Sequence, residues 1–264
     1  MIAWFQNLQI GWMAFVVFAL TYLVTAGIYW IVMSLAIGER ARTFKAISPG
    51  MLPPLGIIFG LLVAFIAAQV WADLDRAHAA VNREASAMRA VVLLATAFPG
   101  EPETRLRTLI HRQIEDAVTE EWPAMAGGRA TLTVTAAPLA EALQVCLALT
   151  PHGDGQVAAQ REILGAVENA LDARRQRIIV SQSGVNWVKW TGVFLQAICT
   201  MFAIAMVHSD NRRSAALAMS LFATGVAVSV MLICAHERPF TGTMSVKPDV
   251  LLQVLPESTP ALKR

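Results

Sequence analysis

The chain has 264 residues, a formal net charge of +2, and a composition that is 56% hydrophobic and 15% charged. Soluble domains carry about 25% charged residues, so this balance excludes an ordinary soluble globule and points to an integral membrane protein. The small net charge, with no basic cluster interleaved with aromatics, excludes nucleic acid as a partner.

In chain order, residues 1–10 put Trp4 and Phe5 where an aromatic belt or a surface-lying helical turn would sit. The start lacks the charged region of a cleavable signal, and the apolar stretch after it is too long to be one, so the first span is expected to be retained. That span, 11–38, is uncharged throughout. A short loop with Arg40, Arg42 and Lys45, closed by Ser-Pro-Gly, leads to a second span at 51–70. No charge interrupts 51–70, which suits a hydrocarbon core about 30 Å thick, and the first spans form a transmembrane pair over 1–70.

The second span does not stop at its apolar end. Charges begin at Asp73, Asp75 and Arg76, yet no glycine or proline appears before Pro99 and Gly100. One helix over 51–97 would be roughly 70 Å long at ~1.5 Å per residue. Within the span Gly56, Gly60 and Ala64 recur at every fourth position, a stripe that lets another backbone approach closely and that packs helices in lipid.

Residues 71–186 form an extramembrane helical domain. Leu74, Ala77, Val81, Ala85, Met88 and Val92 make a stripe on the long helix. A second amphipathic helix is predicted from 103 to 122, ended by Pro123 and Gly127-Gly128, with a brief alternation over 130–136 that could be a short strand. Short and long helices follow at 139–149 and 157–180. The chain re-enters the membrane at Trp187, Lys189 and Trp190, which suit interfacial anchors. Spans at 191–207 and 215–235 complete a second pair over 187–235, joined by a tight loop with Arg212 and Arg213, and residues 236–264 form a polar tail.

Four spans put both termini and the domain on one side. Five basic residues in the short loops, Arg40, Arg42, Lys45, Arg212 and Arg213, favour a cytoplasmic location for those loops. Arg76, Arg83, Arg174, Arg175, Arg177, Arg238 and Lys247 weigh against it from the domain side, so charge alone leaves the orientation open.

Catalysis finds no residues to stand on. Asp73, Asp75, Glu115, Asp116, Glu120 and Glu121 and the five histidines make no metal-binding spacing, Gly-rich phosphate loop or Gly-x-Ser-x-Gly elbow. Glu120-Glu121 reads as a solvated helix face and His111 as a surface or interface residue. Cys146, Cys199 and Cys234 lie far apart and imply neither a disulfide framework nor a zinc site. No enzymatic activity, metal or cofactor is expected.

Several motifs, in order and at characteristic separations, resemble the bestrophin-like membrane family. They are Val81-Asn-Arg-Glu-Ala-Ser-Ala on the long helix, Glu121-Trp122-Pro123-Ala-Met, Leu171-Asp-Ala-Arg-Arg-Gln-Arg, and Arg238-Pro239-Phe240-x-Gly242 after the last span. The resemblance covers nearly the whole chain. True bestrophins, pentameric anion channels, are more distant, and share the plan of two spans, a helical domain and two spans.

The resemblance implies an all-α membrane protein with four transmembrane helices, assembled as a homo-oligomer, pentameric by analogy. Leu55-Gly56 looks like the pair that opens the bestrophin pore helix, and Ile57, Leu61 and Phe65 then fall where a ladder of apolar side chains lines the neck. A ring of such residues would make a hydrophobic constriction that gates by dewetting. The implied function is passive ion conduction, anions favoured, in the plasma membrane of a bacterium with the domain and both termini in the cytoplasm. The alternative is a non-conducting scaffold whose helical domain binds a soluble partner.

Two departures limit the carry-over. Thr243-Met-Ser-Val-Lys-Pro-Asp249 replaces the acidic run that clasps calcium in animal bestrophins, and hard cations need several oxygen ligands together. Calcium gating is not expected. Ile66, Ala67 and Ala68 stand where polar residues follow the neck in bestrophins, which weakens the inference of anion selectivity.

Overall fold

The computed structural model describes residues 9–36, 44, 49–242 and 244–255. Trp4, Phe5, Arg40, Arg42, Lys45, Thr243 and the tail from residue 256 onward lie outside the described residues, as does Gly38, the expected end of the first span.

Among the described residues every regular element is helical. The helices are α1 (Ile10–Leu35), α2 (Leu52–Leu94), α3 (Glu101–Asp116), α4 (Trp122–Ala126), α5 (Ala137–Ala148), α6 (Asp154–Ser181), α7 (Trp187–Val207), α8 (Arg212–His236) and α9 (Asp249–Leu252). Four helical stretches are long and apolar enough to cross a membrane: Ile10–Leu35, Pro49–Ala97, Trp187–Val207 and Arg212–His236. The protein is an all-α integral membrane protein.

The chain divides into two compact units, one of Met1–Ala72, Gly184–Glu237 and Gly242–Met244, the other of Asp73–Ser183, Arg238–Thr241 and Ser245–Arg264. Helix α2 runs through the division as a single helix of 43 residues. Its only prolines, Pro53 and Pro54, fall in its first turn, where a missing N–H breaks no helical hydrogen bond.

In the apolar unit α1, α7 and α8 pack on one another, and α2 buries Phe59, Ile66 and Val70 in the same cluster. Phe59 meets Phe222 with ring centroids 5.3 Å apart. Lipid is as apolar as these side chains, so close packing and internal hydrogen bonds hold such helices together. The hydroxyls comply: Thr25 donates to the Thr21 carbonyl at 2.7 Å, and Tyr22 and Thr224 share a hydrogen bond of 2.9 Å between α1 and α8. Asparagines cap both later spans, Asn186 accepting from the Val188 N–H and Asn211 from those of Arg213 and Ser214, as orphan amides at a helix start require.

One anchor is not at an interface. Trp190 is buried, stacked on Phe194 at 5.4 Å, and its indole N–H donates to Glu237 at 3.2 Å. Glu237 also accepts from the Val185 N–H, so a buried carboxylate ties the segment before α7 to the end of α8. Trp187, 73% exposed, keeps the position an anchor needs.

The other unit has a core of Val81, Met88, Leu106, Ile110, Ile114, Leu139, Ile163, Val167, Ile178 and Leu251, all essentially inaccessible. Helix α5 packs on α3 and on α6, and Gln160 of α6 closes the end of α5 by donating to the carbonyls of Cys146 and Leu149. The segment after α8, polar in composition, is packed too: Phe240, Val246 and Leu251 are buried in this core. Two local expectations fail. Residues 130–136 are turns and bends rather than a strand, because no second strand is there to pair with them. The helix predicted to run unbroken to 122 changes to a π turn at Ala117–Glu121.

Gln113, on α3, is 1% exposed, and neither its Nε2 nor its Oε1 has a hydrogen-bond partner among the described residues. An unsatisfied buried amide costs about 1–3 kcal/mol. Gln113→Met, similar in volume, is therefore expected to raise the melting temperature of the solubilised protein by roughly 2–4 °C per kcal/mol recovered. A lower melting temperature would show that the amide is engaged, for instance by an internal water.

Candidate functional site

The three residues expected at a neck lie on the side of α2 away from the helices of its own unit. Ile57, Leu61 and Phe65 are 62%, 54% and 73% exposed, whereas Phe59, Ile66 and Val70 are buried. At about 100° of rotation per residue, the two sets centre on directions roughly 160° apart around the helix axis. The stripe of Gly56, Gly60 and Ala64 is exposed as well, and a Cβ added at Gly56 or Gly60 would meet nothing within 4 Å. Among the described residues, then, neither face of α2 singled out by the sequence is covered by a neighbour. This half of α2 is held by its buried third face, with Gln196 donating to the Leu55 carbonyl at 3.2 Å and Lys189 donating to Gln69.

The family-like motifs converge on one place in the helical unit. Glu84 and Arg177 are both 0% exposed. The guanidinium grips Glu84 through two hydrogen bonds, Nε to Oε2 at 2.6 Å and Nη2 to Oε1 at 3.0 Å. Nη2 also donates to Glu121 at 2.6 Å, and Nη1 points at the Met125 sulfur. The other Glu121 oxygen accepts from Arg174 Nε at 2.6 Å, while Arg174 Nη2 reaches the Val134 carbonyl. Two carboxylates thus neutralise two guanidinia. Burial alone would make the Arg177 proton easier to lose, but Glu84 and Glu121 outweigh it and hold the group above its ordinary value.

Trp122 completes the arrangement. Arg177 lies over its ring with the guanidinium carbon 4.7 Å from the centroid, a cation–π contact. The ring meets Phe240 edge-on at 5.6 Å, and its N–H donates to the Val246 carbonyl at 3.1 Å. Thr241 donates to the Ala126 carbonyl. Gly128, at φ 65°, leaves room for Arg238, whose guanidinium a Cβ there would meet at 3.1 Å. Gly242 has φ 84°, a left-handed conformation that favours glycine. Pro123 sits exposed in the first turn of α4.

Glu121 departs from the expected surface position, and it lies at the end of a π turn. The Trp122 N–H bonds to the Ala117 carbonyl, five residues back. At this turn Glu120 is exposed, while Glu121 pairs with both arginines. The expectation of a solvated face therefore holds for Glu120 and is corrected for Glu121. Helical spacing sets Glu84 on the apolar stripe of α2, three residues after Val81 and four before Met88, whereas for Arg177 its place in a family-like motif is the signal.

Every charge in the buried cluster is committed to another. Cys146 is buried, and burial pushes its thiol up to about 11, the opposite of an activated nucleophile.

Removing one member of a buried ion pair strands the other, at about 3–5 kcal/mol. Arg177→Met should therefore lower the melting temperature sharply and reduce the yield of folded protein in size-exclusion chromatography. Adding Glu84→Gln should recover a substantial part of the loss, since the Glu121–Arg174 pair stays neutral. A double variant less stable than Arg177→Met alone would refute this account of the cluster.

Comparison with known proteins adds three findings. A model of the Bestrophin-like domain matches residues 19–251. A search of curated proteins yields no match. The fold is similar to crystal structures of a bacterial bestrophin homolog from Klebsiella pneumoniae. For a variant with a leucine-to-threonine mutation, the TM-score is 0.64 at 13% identity, with 91% of this chain and 96% of that one covered. For an isoleucine-to-threonine variant the TM-score is 0.62 at 12% identity, over 93% and 97%. At such identity the likeness establishes the fold alone. With the domain match spanning most of the sequence, this chain belongs to the Bestrophin-like family.

Proposed function

We propose that the protein is an oligomeric channel of bestrophin-like type, conducting ions passively, with anions favoured. Copies of α2 surround a symmetry axis, and Ile57, Leu61 and Phe65 from each form the neck. The observation that carries this reading is the exposure of those three side chains on a face of α2 opposite the one its own unit buries. A ring of apolar side chains admits a partly dehydrated ion or dewets and closes. Nothing charged is needed at the neck itself, and nothing charged is there.

The open stripe of Gly56, Gly60 and Ala64 supports the assembly. With Gly56 and Gly60 open and Ala64 exposed among the described residues, it has the shape that lets a helix of an adjacent copy approach closely. A closed ring needs such a repeating contact between different surfaces of successive copies. Family membership favours five copies, in the inner membrane of a bacterium, with the helical unit and both termini in the cytoplasm.

Reconstituted in planar bilayers, the protein should pass current, and Phe65→Ala, which widens the neck, should raise unitary conductance or relieve closure. Silent bilayers with insertion confirmed would overturn the channel reading and favour a scaffold that binds a soluble partner. Gly60→Leu should leave the melting behaviour of the protomer nearly unchanged yet shift the particle to smaller species by light scattering. An intact ring in that variant would remove the stripe from the subunit contact.

A further inference from the structure

One segment of the helical unit carries uncovered apolar side chains on a fixed backbone. Thr131 to Thr135 are exposed in an unbroken run, within which Leu132 and Val134 are 47% and 59% exposed. The run is tied to α6 at both ends: the Ala130 carbonyl accepts from Gln182 Nε2 at 2.6 Å, and the Val134 carbonyl from Arg174 Nη2 at 3.0 Å. Ala130 and Ala136 on either side of it are buried. The hydroxyls of Thr131 and Thr133 bond to each other at 2.7 Å, so these polar side chains are satisfied locally and do not require water.

The segment is attached where the chain meets the membrane. Helix α8 has 25 residues, about 37 Å at ~1.5 Å per residue. The hydrocarbon core is only about 30 Å thick, so both ends of α8 reach the headgroup layer. Arg238 follows its last residue, His236, by two positions, which is at most about 7 Å of chain. A Cβ added at Gly128 would meet the Arg238 guanidinium at 3.1 Å, and Thr241 donates to the Ala126 carbonyl at 3.0 Å. Gln182, which holds Ala130, precedes the first residue of α7, Trp187, by five positions, at most about 18 Å of chain.

Charge follows the same pattern. A Cβ at the neighbouring Gly127 would meet Arg129 Nε at 3.2 Å, so two guanidinia lie over adjacent glycines. Among the described residues no carboxylate is within 4.0 Å of either. We propose that residues 129–135 are a membrane-contacting loop: Leu132 and Val134 enter the interfacial layer of the bilayer that the spans cross, and Arg129 and Arg238 engage the phosphates of anionic lipids. Basic residues beside apolar ones are the composition of segments that lie in a membrane interface, anionic headgroups attract cations close to a span, and the planar guanidinium suits a phosphate. This assignment goes beyond conduction and does not depend on it.

The test uses full-length protein reconstituted in vesicles, with a nitrobenzoxadiazole label at Leu132→Cys or Val134→Cys in a Cys199→Ala background, since Cys146 and Cys234 are buried and Cys199 is exposed. In phosphatidylcholine mixed with phosphatidylglycerol, both labels should be shielded from aqueous iodide and quenched by lipids that carry a spin label near the headgroup. Omitting phosphatidylglycerol, or combining Arg129→Gln with Arg238→Gln, should lower the ratio of lipid-seated to water-exposed label about fivefold or more. Arg129→Gln alone should lower it less, which keeps the comparison available if Arg238→Gln fails to fold. Inorganic phosphate at matched ionic strength should not substitute for the lipid. Labels open to iodide at both positions would overturn the proposal. Shielding from iodide without quenching by the spin-labelled lipids would overturn it too, since a protein surface such as a second copy would then cover the loop. So would indifference to both phosphatidylglycerol and the arginine substitutions, or a response to inorganic phosphate in its place.

Discussion

A guanidinium with no solvent exposure is expensive unless every proton it carries finds a partner, and the helical unit is organised around that requirement at Arg177. Its partners come from two separated stretches: Glu84 on α2, and the adjacent pair of Glu121, at the end of the π turn, and Trp122, whose ring face opens α4. Moving any of these by a fraction of a helical turn would leave a buried charge uncompensated. Packed apolar side chains tolerate small slips at modest cost, while a bidentate ion pair out of water does not. The cluster thus selects one register of α2 against α6, and the rest of the core fills in around it.

The π turn belongs to the same constraint. Glu121 closes the widened turn between α3 and α4. The widened turn brings it to both arginines at once and sets Trp122 between Arg177 and Phe240. Through the Trp122 indole and the Val246 carbonyl, the segment after the last span becomes part of the same core. Motifs that lie far apart in sequence are therefore parts of one contact set.

The apolar unit obeys different physics. With no hydrophobic drive toward burial, a span can leave a large apolar face uncovered within its own chain, and α2 leaves two. Exposure of Ile57, Leu61 and Phe65 carries none of the penalty it would have in water. The partners of such faces are decided by assembly and lipid, which makes them the part of the molecule most available for a pore.

The sequence by itself determined the four apolar helices, the helical nature of the unit between them, and the passage of α2 through the end of its apolar stretch. These follow from local hydropathy, from the absence of helix breakers between 61 and 97, and from where prolines and glycines stop each element. It also contained the motif residues, since their identities and order carry the family likeness. Only the tertiary structure decided what those residues do. Glu121 looked like a surface carboxylate because charged residues ordinarily are, and its burial depends on a partner more than fifty positions away, Arg174 or Arg177. Trp190 looked like a belt residue until Glu237 was found beside its indole. The π turn and the silent amide of Gln113 share that reason: each is defined by which groups from distant parts of the chain arrive, or fail to arrive, within bonding distance, and no local pattern encodes that.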